Sequence, residues 1–391
     1  MLRFRSLYGI GRSINKASGR LRHPLLRSYG FKGKPKVSII GCGQFAFSTI
    51  GFFIRKTKGL IFLNCYDIDA DNAKSLAHYF RFEKVAPSVE ALLSNPKLEI
   101  LYIASNHATH TPYAVKAMKH GLKTIYLEKP ISVTEEQFVS LIAHKRKYQA
   151  TLFAGYNRPY AQAIRKIYTV LDKNTIKQKD AAFSMNFFIS GHQLSDDHWY
   201  RRPEEGTRIC GNVGHWIDLA IHILAWRNLP KQLHVQVAYS NLEEPDDNMN
   251  ITMTSDQGDL ISIMLSARSE PFEGINETVN FQYQNVIAKV SDFRELTIWK
   301  QDKLIKNKFW PKDVGHKRAI LQPFETENRD WSEVECSTLL MLFITQMVRQ
   351  KTTSATFELE SALAEFNALV AIKSKSLFTT SNVKNNAEQL K

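Results

Sequence analysis

The 391 residues exceed what one hydrophobic core usually supports, and 43% apolar with 11% aromatic content marks a folded chain, so two domains are expected. No run of about 18 apolar residues occurs, which excludes a helical membrane span. The four scattered cysteines, without CxxC or Cys/His ligand spacing, argue against a metal site and for a reducing compartment, the cytoplasm.

The net charge of +14 is uneven: residues 1–36 hold ten Lys/Arg and no Asp/Glu, which leaves +4 for the other 355 residues and no basic face for nucleic acid. Residues 1–34 are thus a basic N-terminal extension. Its Arg-rich, acid-free make-up fits a mitochondrial transit peptide, with the matrix as destination. It equally fits an arm lying on an anionic membrane surface, or a solvated, loosely helical terminus.

From Lys36 onward, short apolar runs alternate with amphipathic stretches as in βαβ units, predicting a dinucleotide-binding Rossmann domain over residues 35–155. Strands are expected at 36–41, 60–67, 98–105, 123–130 and 151–157. Helices are expected at 45–58, 69–80, 88–96, 110–120 and 134–148, the last capped by Thr134 with acids in its first turn. Residues 156–378 read as a substrate-binding and oligomerisation domain. It has helices at 161–172 and 212–226, a strand at 181–188, a series of alternating runs that predict antiparallel strands, and closing helices near 331–350 and 357–376. Residues 379–391 are a polar tail, expected to be loose. The fold class is α/β: a doubly wound parallel sheet followed by an α+β domain with an open, mostly antiparallel sheet. The open face of that sheet could bury itself against a second copy, so a homo-oligomer is expected.

Four motifs carry chemistry. Gly41-Cys42-Gly43-Gln44-Phe45-Ala46 is a G-x-G-x-x-A between a strand and a helix: Gly41 allows the tight turn, Gly43 lets backbone approach a pyrophosphate, and Ala46 permits close helix packing. Gly41, Gly43, Gln44, Phe45 and Ala46 are therefore cofactor-binding candidates. The next strand ends at Asp67, 24 residues after Gly43, where a carboxylate can accept from an adenosine ribose. With Ile68 following it and no base alongside, NAD is favoured over NADP. Asp69 reads as the cap of the following helix. Ser105, Asn106 and His110 lie at the carboxyl end of a central strand, the edge where ligands bind, although Asn106 fits a helix cap and His110 an ordinary first-turn histidine equally well. In Glu128-Lys129-Pro130, at the end of another strand, the proline restricts Lys129 to an extended backbone and so confines its ammonium.

In this order and spacing the motifs resemble those of the Gfo/Idh/MocA family, of which glucose/fructose oxidoreductase and inositol dehydrogenase are members. The likeness covers about residues 36–376. It implies that Glu128 lies near the nicotinamide ribose and that Lys129 is the acid/base on a sugar hydroxyl, chemistry a lysine can perform when its surroundings lower its pKa. In the second domain, His198-Trp199, Arg202-Pro203-Glu204 and the run Gly206 to Asp218 are similar to a branch of the family associated with bacterial surface polysaccharides. Gly155 to Tyr160, Ser291 to Arg294 and Asp313 to His316 also resemble that branch. The resemblance gives His215 the catalytic histidine position. It departs at Gly211, where many relatives carry Asp, and at Asn212, where the branch often has Glu.

The expectation is a soluble sugar or nucleotide-sugar dehydrogenase that moves hydride to NAD, with Lys129 and His215 catalytic and Arg158, Tyr160, Trp199, Arg208, Asn212 and His215 at the substrate. A second reading keeps NAD bound for transient oxidation in glycoside cleavage or epimerisation. A third is a cofactor-binding regulator on a degenerate version of the fold. His222 and Asp218 are read as structural.

Overall fold

The computed structural model describes residues 2–171, 176, 181–269 and 274–388. The chain forms two compact units, one of residues up to Ala17 with Tyr156–Glu360, the other of Ser18–Gly155 with the residues from Ser361 onward. The chain opens with helices α1 (Leu2–Tyr8) and α2 (Ile10–Leu21), and the division falls inside α2.

In the unit that holds Ser18–Gly155, β1 (Lys32–Ile40) runs into a π-helical turn (Ala46–Ile50) and α3 (Gly51–Lys58). There follow β2 (Leu60–Tyr66), α4 (Ala70–Phe80), β3 (Lys84–Val85), α5 (Val89–Leu93), β4 (Ile100–Ile103), α6 (His107–Lys119), β5 (Thr124–Leu127), α7 (Glu135–Tyr148) and β6 (Thr151–Ala154). The six strands are parallel in the order β3-β2-β1-β4-β5-β6. That is the doubly wound order, in which the order of the strands reverses between β1 and β4. Strands β2 and β4 are buried at nearly every position, as sheets covered on both faces require. The Asp69 carboxylate accepts from the Asp71 and Asn72 amides, and the Thr134 hydroxyl from the Gln137 amide, so both helix starts are capped by short polar side chains.

In the other unit, a 3-10 turn (Arg158–Tyr160) leads to α8 (Gln162–Val170), β7 (Phe183–Ser190) and, through a π-helical turn (Ile209–Val213), to α9 (Gly214–Ala225). Strands β8 (Gln232–Tyr239), β9 (Asn248–Ser255), β10 (Leu260–Ser266), β11 (Asn276–Tyr283), β12 (Val286–Ser291), β13 (Glu295–Lys300) and β14 (Lys303–Lys308) follow. Helices α10 (His316–Leu321) and α11 (Trp331–Arg349), strand β15 (Ser354–Glu358) and helix α12 (Leu359–Glu388) close the chain. Nine strands align as β14-β13-β12-β11-β7-β10-β9-β8-β15, antiparallel except for β7 with β10. The period-2 alternation of these strands points one set of side chains at α9 and α11 and leaves the other set open.

Three expectations need correction. The N-terminal extension is not merely solvated: Leu7, Ser13, Asn15, Ser18 and Ser28 are buried. The Leu7 carbonyl accepts from the Lys312 amide, and the Ser28 hydroxyl donates to the Tyr79 carbonyl. Residues 361–378 belong to the Rossmann unit, because Phe366 stacks on Phe138 at 4.6 Å and Asn367 accepts from Arg146 at 2.6 Å. Helix α12 also runs to Glu388, through most of the segment expected to be loose, because nothing between Leu359 and Glu388 breaks a helix: the stretch holds no proline or glycine.

Candidate cofactor and catalytic residues

After β1 the chain must turn across the end of β4, and Gly41 does so at φ +86°; a Cβ there would sit 2.4 Å from the Ala104 carbonyl carbon. Only glycine fits. A Cβ on Gly43 would meet nothing within 4 Å, so the backbone here faces open space. Gly43, Gln44 and Phe45 are half-exposed at the start of the helical run, whereas Ala46 is fully buried. An exposed backbone with open space above it, at a helix N-terminus, fits the pyrophosphate of a dinucleotide. Asp67 reaches back from the end of β2, its carboxylate accepting from the Cys42 amide at 2.5 Å and the Asp69 amide at 2.9 Å. The acid thus holds the turn.

Ser105 and Thr109 share a hydroxyl hydrogen bond of 2.7 Å, and exposed Asn106 is the N-cap of α6 but makes no side-chain capping bond. His110 is buried, with Nδ1 2.7 Å from the Pro130 carbonyl and Nε2 2.9 Å from the Ser105 carbonyl. Burial pulls its pKa down to about 4, so the ring is neutral and donates to one of the two carbonyls. Alongside it the Thr111 hydroxyl donates to the Ile131 carbonyl, and Gln137 donates to the Ala108 carbonyl while accepting from the Val133 amide. The start of α6 is therefore tied to the loop after β5, and His110 serves as a fastener.

That loop carries Glu128 and half-buried Lys129, joined to Pro130 by a cis peptide bond. The Glu128 carboxylate accepts from the Tyr126 hydroxyl at 2.8 Å and the Lys129 amide at 3.2 Å. Burial pushes its pKa up to about 7, against the opposing pull of the Lys129 ammonium.

In the other unit, His215 stands in the first turn of α9, 9% exposed, with Tyr156 and Trp216 edge-on to its ring at centroid distances of 6.2 and 6.0 Å. Asp218, fully buried, accepts from Arg329 at 2.6 Å and the Ser337 hydroxyl at 2.8 Å. His222 accepts at Nε2 from Trp226, so Nδ1 carries the proton and donates to Glu333 at 2.8 Å. Both side chains are structural, holding α9 against α11.

The expected substrate residues divide. The Arg158 guanidinium pairs with Glu277 at 2.9 and 3.2 Å, donates to Asn157 and stacks over Trp216, whose indole also donates to Glu277. Arg208, 2% exposed, donates to Asp247, the His192 carbonyl and Asn212. Neither arginine keeps a donor edge for a diphosphate, because each is spent on a neighbouring carboxylate. The Tyr160 hydroxyl donates to Gln322. Trp199 remains half-buried, stacked on His198 and edge-on to Tyr200. Gly211 is buried, so no carboxylate occupies that place.

Sequence reasoning missed Glu277, the partner of Arg158. Its signal was present: in β11 the inward positions read Glu277, Val279, Phe281 and Tyr283, an acid on an otherwise apolar face. It also missed Arg22, which no local pattern singled out. Among the described residues, Glu244, Asp246 and Asp247 are close enough together to hold a metal ion, but Arg201 and Arg208 pair with members of the cluster.

A parallel doubly wound sheet with this glycine turn, followed by an open antiparallel sheet, defines a two-unit fold of the Rossmann class. Residues 35–156 match the model of the oxidoreductase family with NAD-binding Rossmann fold, GFO_IDH_MocA. The match to the Gfo/Idh/MocA model thus covers the unit that holds the glycine turn. It is 27% identical over 209 residues to inositol 2-dehydrogenase of Ralstonia nicotianae, a match covering 52% of this chain and 57% of that one. It is 30% identical over 110 residues to the oxidoreductase YrbE of Bacillus subtilis, covering 28% of this chain and 32% of that one. The chain thus spans less than two thirds of the length of these relatives. Among solved structures, UDP-N-acetylglucosamine 3-dehydrogenase GnnA from Acidithiobacillus ferrooxidans aligns with a TM-score of 0.62 at 17% identity, covering 81% of this chain and 98% of that one; at that identity the likeness shows the fold alone. No helix among the described residues is long and apolar enough to cross a membrane.

Proposed function

We propose that the protein is an NAD-dependent dehydrogenase acting on a secondary alcohol of a sugar or nucleotide sugar, in the biosynthesis of a polysaccharide or other glycoconjugate. One observation carries the reading. Within one unit an unbroken chain of contacts links the glycine turn to the lysine turn: Gly41 lies against Ala104 and Ser105, and His110 joins the Ser105 carbonyl to Pro130, next to Lys129. This continuity supports reading the glycine turn as the phosphate site and Lys129 as the proton-transfer group of one frame.

Bound at the glycine turn, a nicotinamide dinucleotide would supply the hydride acceptor. Lys129 takes the hydroxyl proton as the carbinol C–H leaves as hydride, and it returns that proton to solvent after the ketone forms. Glu128 stands beside it, held by the Tyr126 hydroxyl, on the side proposed for the nicotinamide ribose. Asp67 favours NAD over NADP, since a 2′-phosphate would meet its carboxylate. In the other unit, His215 is the proposed catalytic histidine and, with Trp199, a proposed sugar-binding residue; Tyr160 and Asn212 are secondary candidates. A nucleotide-sugar substrate agrees with the name of the Acidithiobacillus relative in fold.

The four cysteines are all buried, which supports action in the reducing cytoplasm. The open face of the nine-stranded sheet carries Phe188, Leu260, Met264, Ile287 and Trp299 partly exposed, and this supports a homo-oligomer built on that face.

The test is Lys129→Met assayed with NAD across a panel of sugars and nucleotide sugars. Turnover should fall by about 10²–10⁴-fold while NADH binding, read by fluorescence titration, stays within about threefold. Unchanged turnover would exclude Lys129 as the proton acceptor.

A further inference from the structure

The last turn of α2 and the residues after it lie on the glycine turn. A Cβ on Gly19 would fall 2.8 Å from the Phe47 ring and 3.2 Å from Gln44 Nε2, so α2 ends in direct contact with the G-x-G-x-x-A segment. Three residues on, Arg22 donates through Nη2 to the Cys42 carbonyl at 2.9 Å, and through Nη1 to the Ser75 hydroxyl at 2.6 Å and the Asn72 carbonyl at 3.1 Å. Its guanidinium thus bridges the loop between the two glycines to helix α4.

The consequence follows from peptide geometry. In a trans peptide the carbonyl of one residue and the N–H of the next point in opposite directions. With the Cys42 carbonyl held by Arg22, the Gly43 N–H faces away from Arg22. The Cys42 N–H is held on its own side by Asp67. Both peptide units flanking Cys42 are therefore oriented, one by an acceptor and one by a donor.

The backbone of Arg22 supports a specific role. It adopts φ +46°, and its amide closes α2 on the Ser18 carbonyl at 2.8 Å, a helix-ending position that glycine fills most readily. An arginine there is retained against its backbone preference, and its three side-chain bonds are what glycine could not make. The guanidinium also places a positive charge behind the turn that receives phosphate.

The geometry points to Arg22 as a positioning residue of the dinucleotide site, supplied by the basic N-terminal extension: it orients the Gly43 amide and adds charge at the pyrophosphate. This rests on the cofactor reading above. The experiment titrates NADH into the full-length protein and its Arg22→Gln, Arg22→Lys and Arg27→Gln variants, following fluorescence and, separately, the melting temperature without cofactor. Arg27 is a control from the same extension, exposed and bonded only to His78 among its side-chain partners.

Arg22→Gln should raise the NADH Kd about tenfold with the apo melting temperature nearly unchanged. Arg22→Lys, which keeps charge but cannot bridge three acceptors, should fall between, and Arg27→Gln should match the parent. In the assay of the reaction, Arg22→Gln should raise the KM for NAD and spare kcat at saturation. A parent protein that binds NADH and an Arg22→Gln variant that binds it equally would overturn the role of Arg22 alone. A parent protein that binds no dinucleotide would overturn the cofactor reading and this one together. Loss of affinity in both Arg22 variants matched by an equal loss of apo stability would mark Arg22 as merely structural and overturn the proposal.

Discussion

Gly155 leaves the space that the Glu128 carboxylate fills: a Cβ on Gly155 would lie 2.8 Å from both carboxylate oxygens. Strand β6 therefore ends beside the acid of the lysine turn with a residue that has no side chain. Gly155→Ala would push Glu128 off the Tyr126 hydroxyl that holds it.

The same acid should give stability a pH signature. Its folded pKa of about 7 stands above the ordinary 4.5, so the folded chain keeps a proton that the unfolded chain releases. Stability from this group therefore falls as pH rises from about 4.5 to about 7 and is level beyond. The shift corresponds to about 3–4 kcal/mol. Glu128→Gln has no proton to lose, so relative to the parent it should gain stability across that window. Urea unfolding at pH 5, 6, 7 and 8 reads the difference, and a pH-independent difference would refute the assignment.

His110 should show the opposite slope. Its folded pKa of about 4 lies below the ordinary 6.5, so the unfolded chain takes up the proton first. The stability it contributes is complete above about pH 6.5 and is lost as pH falls toward about 4. Because the windows of His110 and Glu128 overlap with opposite sign, the parent protein should show little net slope from these two groups. His110→Ala should remove the acid loss and also cost about 1–3 kcal/mol at neutral pH, through the one carbonyl left without its donor. Turnover should fall with it, since Pro130 and hence Lys129 lose their tie. Circular-dichroism melts across pH 4.5–7.5, run beside activity, test both parts.

Arg158 and Glu277 form a buried pair whose loss should be read in stability first. Glu277→Gln leaves a buried guanidinium short of charge compensation and should cost about 3–5 kcal/mol. The double variant Arg158→Met/Glu277→Gln removes both charges while leaving an acceptor for the Trp216 indole, and it should recover most of that loss. Thermal unfolding of the two single variants and the double decides the matter. A substrate KM raised in Arg158→Met with no change in melting temperature would instead assign Arg158 to substrate.

The parts of the site that sequence made legible are those that local chain geometry dictates. Gly41 could be picked out because a strand must turn into a helix there at positive φ. Asp67 could be picked out because it ends the next apolar run, and Lys129 because a proline follows it at the end of another. Each motif needs only its neighbours in sequence to be recognised. The partners of the arginines were not legible in this way. Arg158 and Arg208 read as ligands for a diphosphate, since a sequence shows a charge without the carboxylate 119 or 39 residues away that neutralises it.

Sequence alone determined the parallel sheet and the glycine turn after its first strand, because periodicity and φ preference act within a few residues. Only the tertiary structure decided that His110 fastens two turns, that α12 joins the Rossmann unit through Phe366, and that the basic extension reaches the cofactor turn through Arg22. Apart from that of His110 with Ser105, those contacts join residues 20 to more than 200 positions apart, and burial and hydrogen-bond satisfaction select them once the surfaces have formed. No local preference in the chain encodes them.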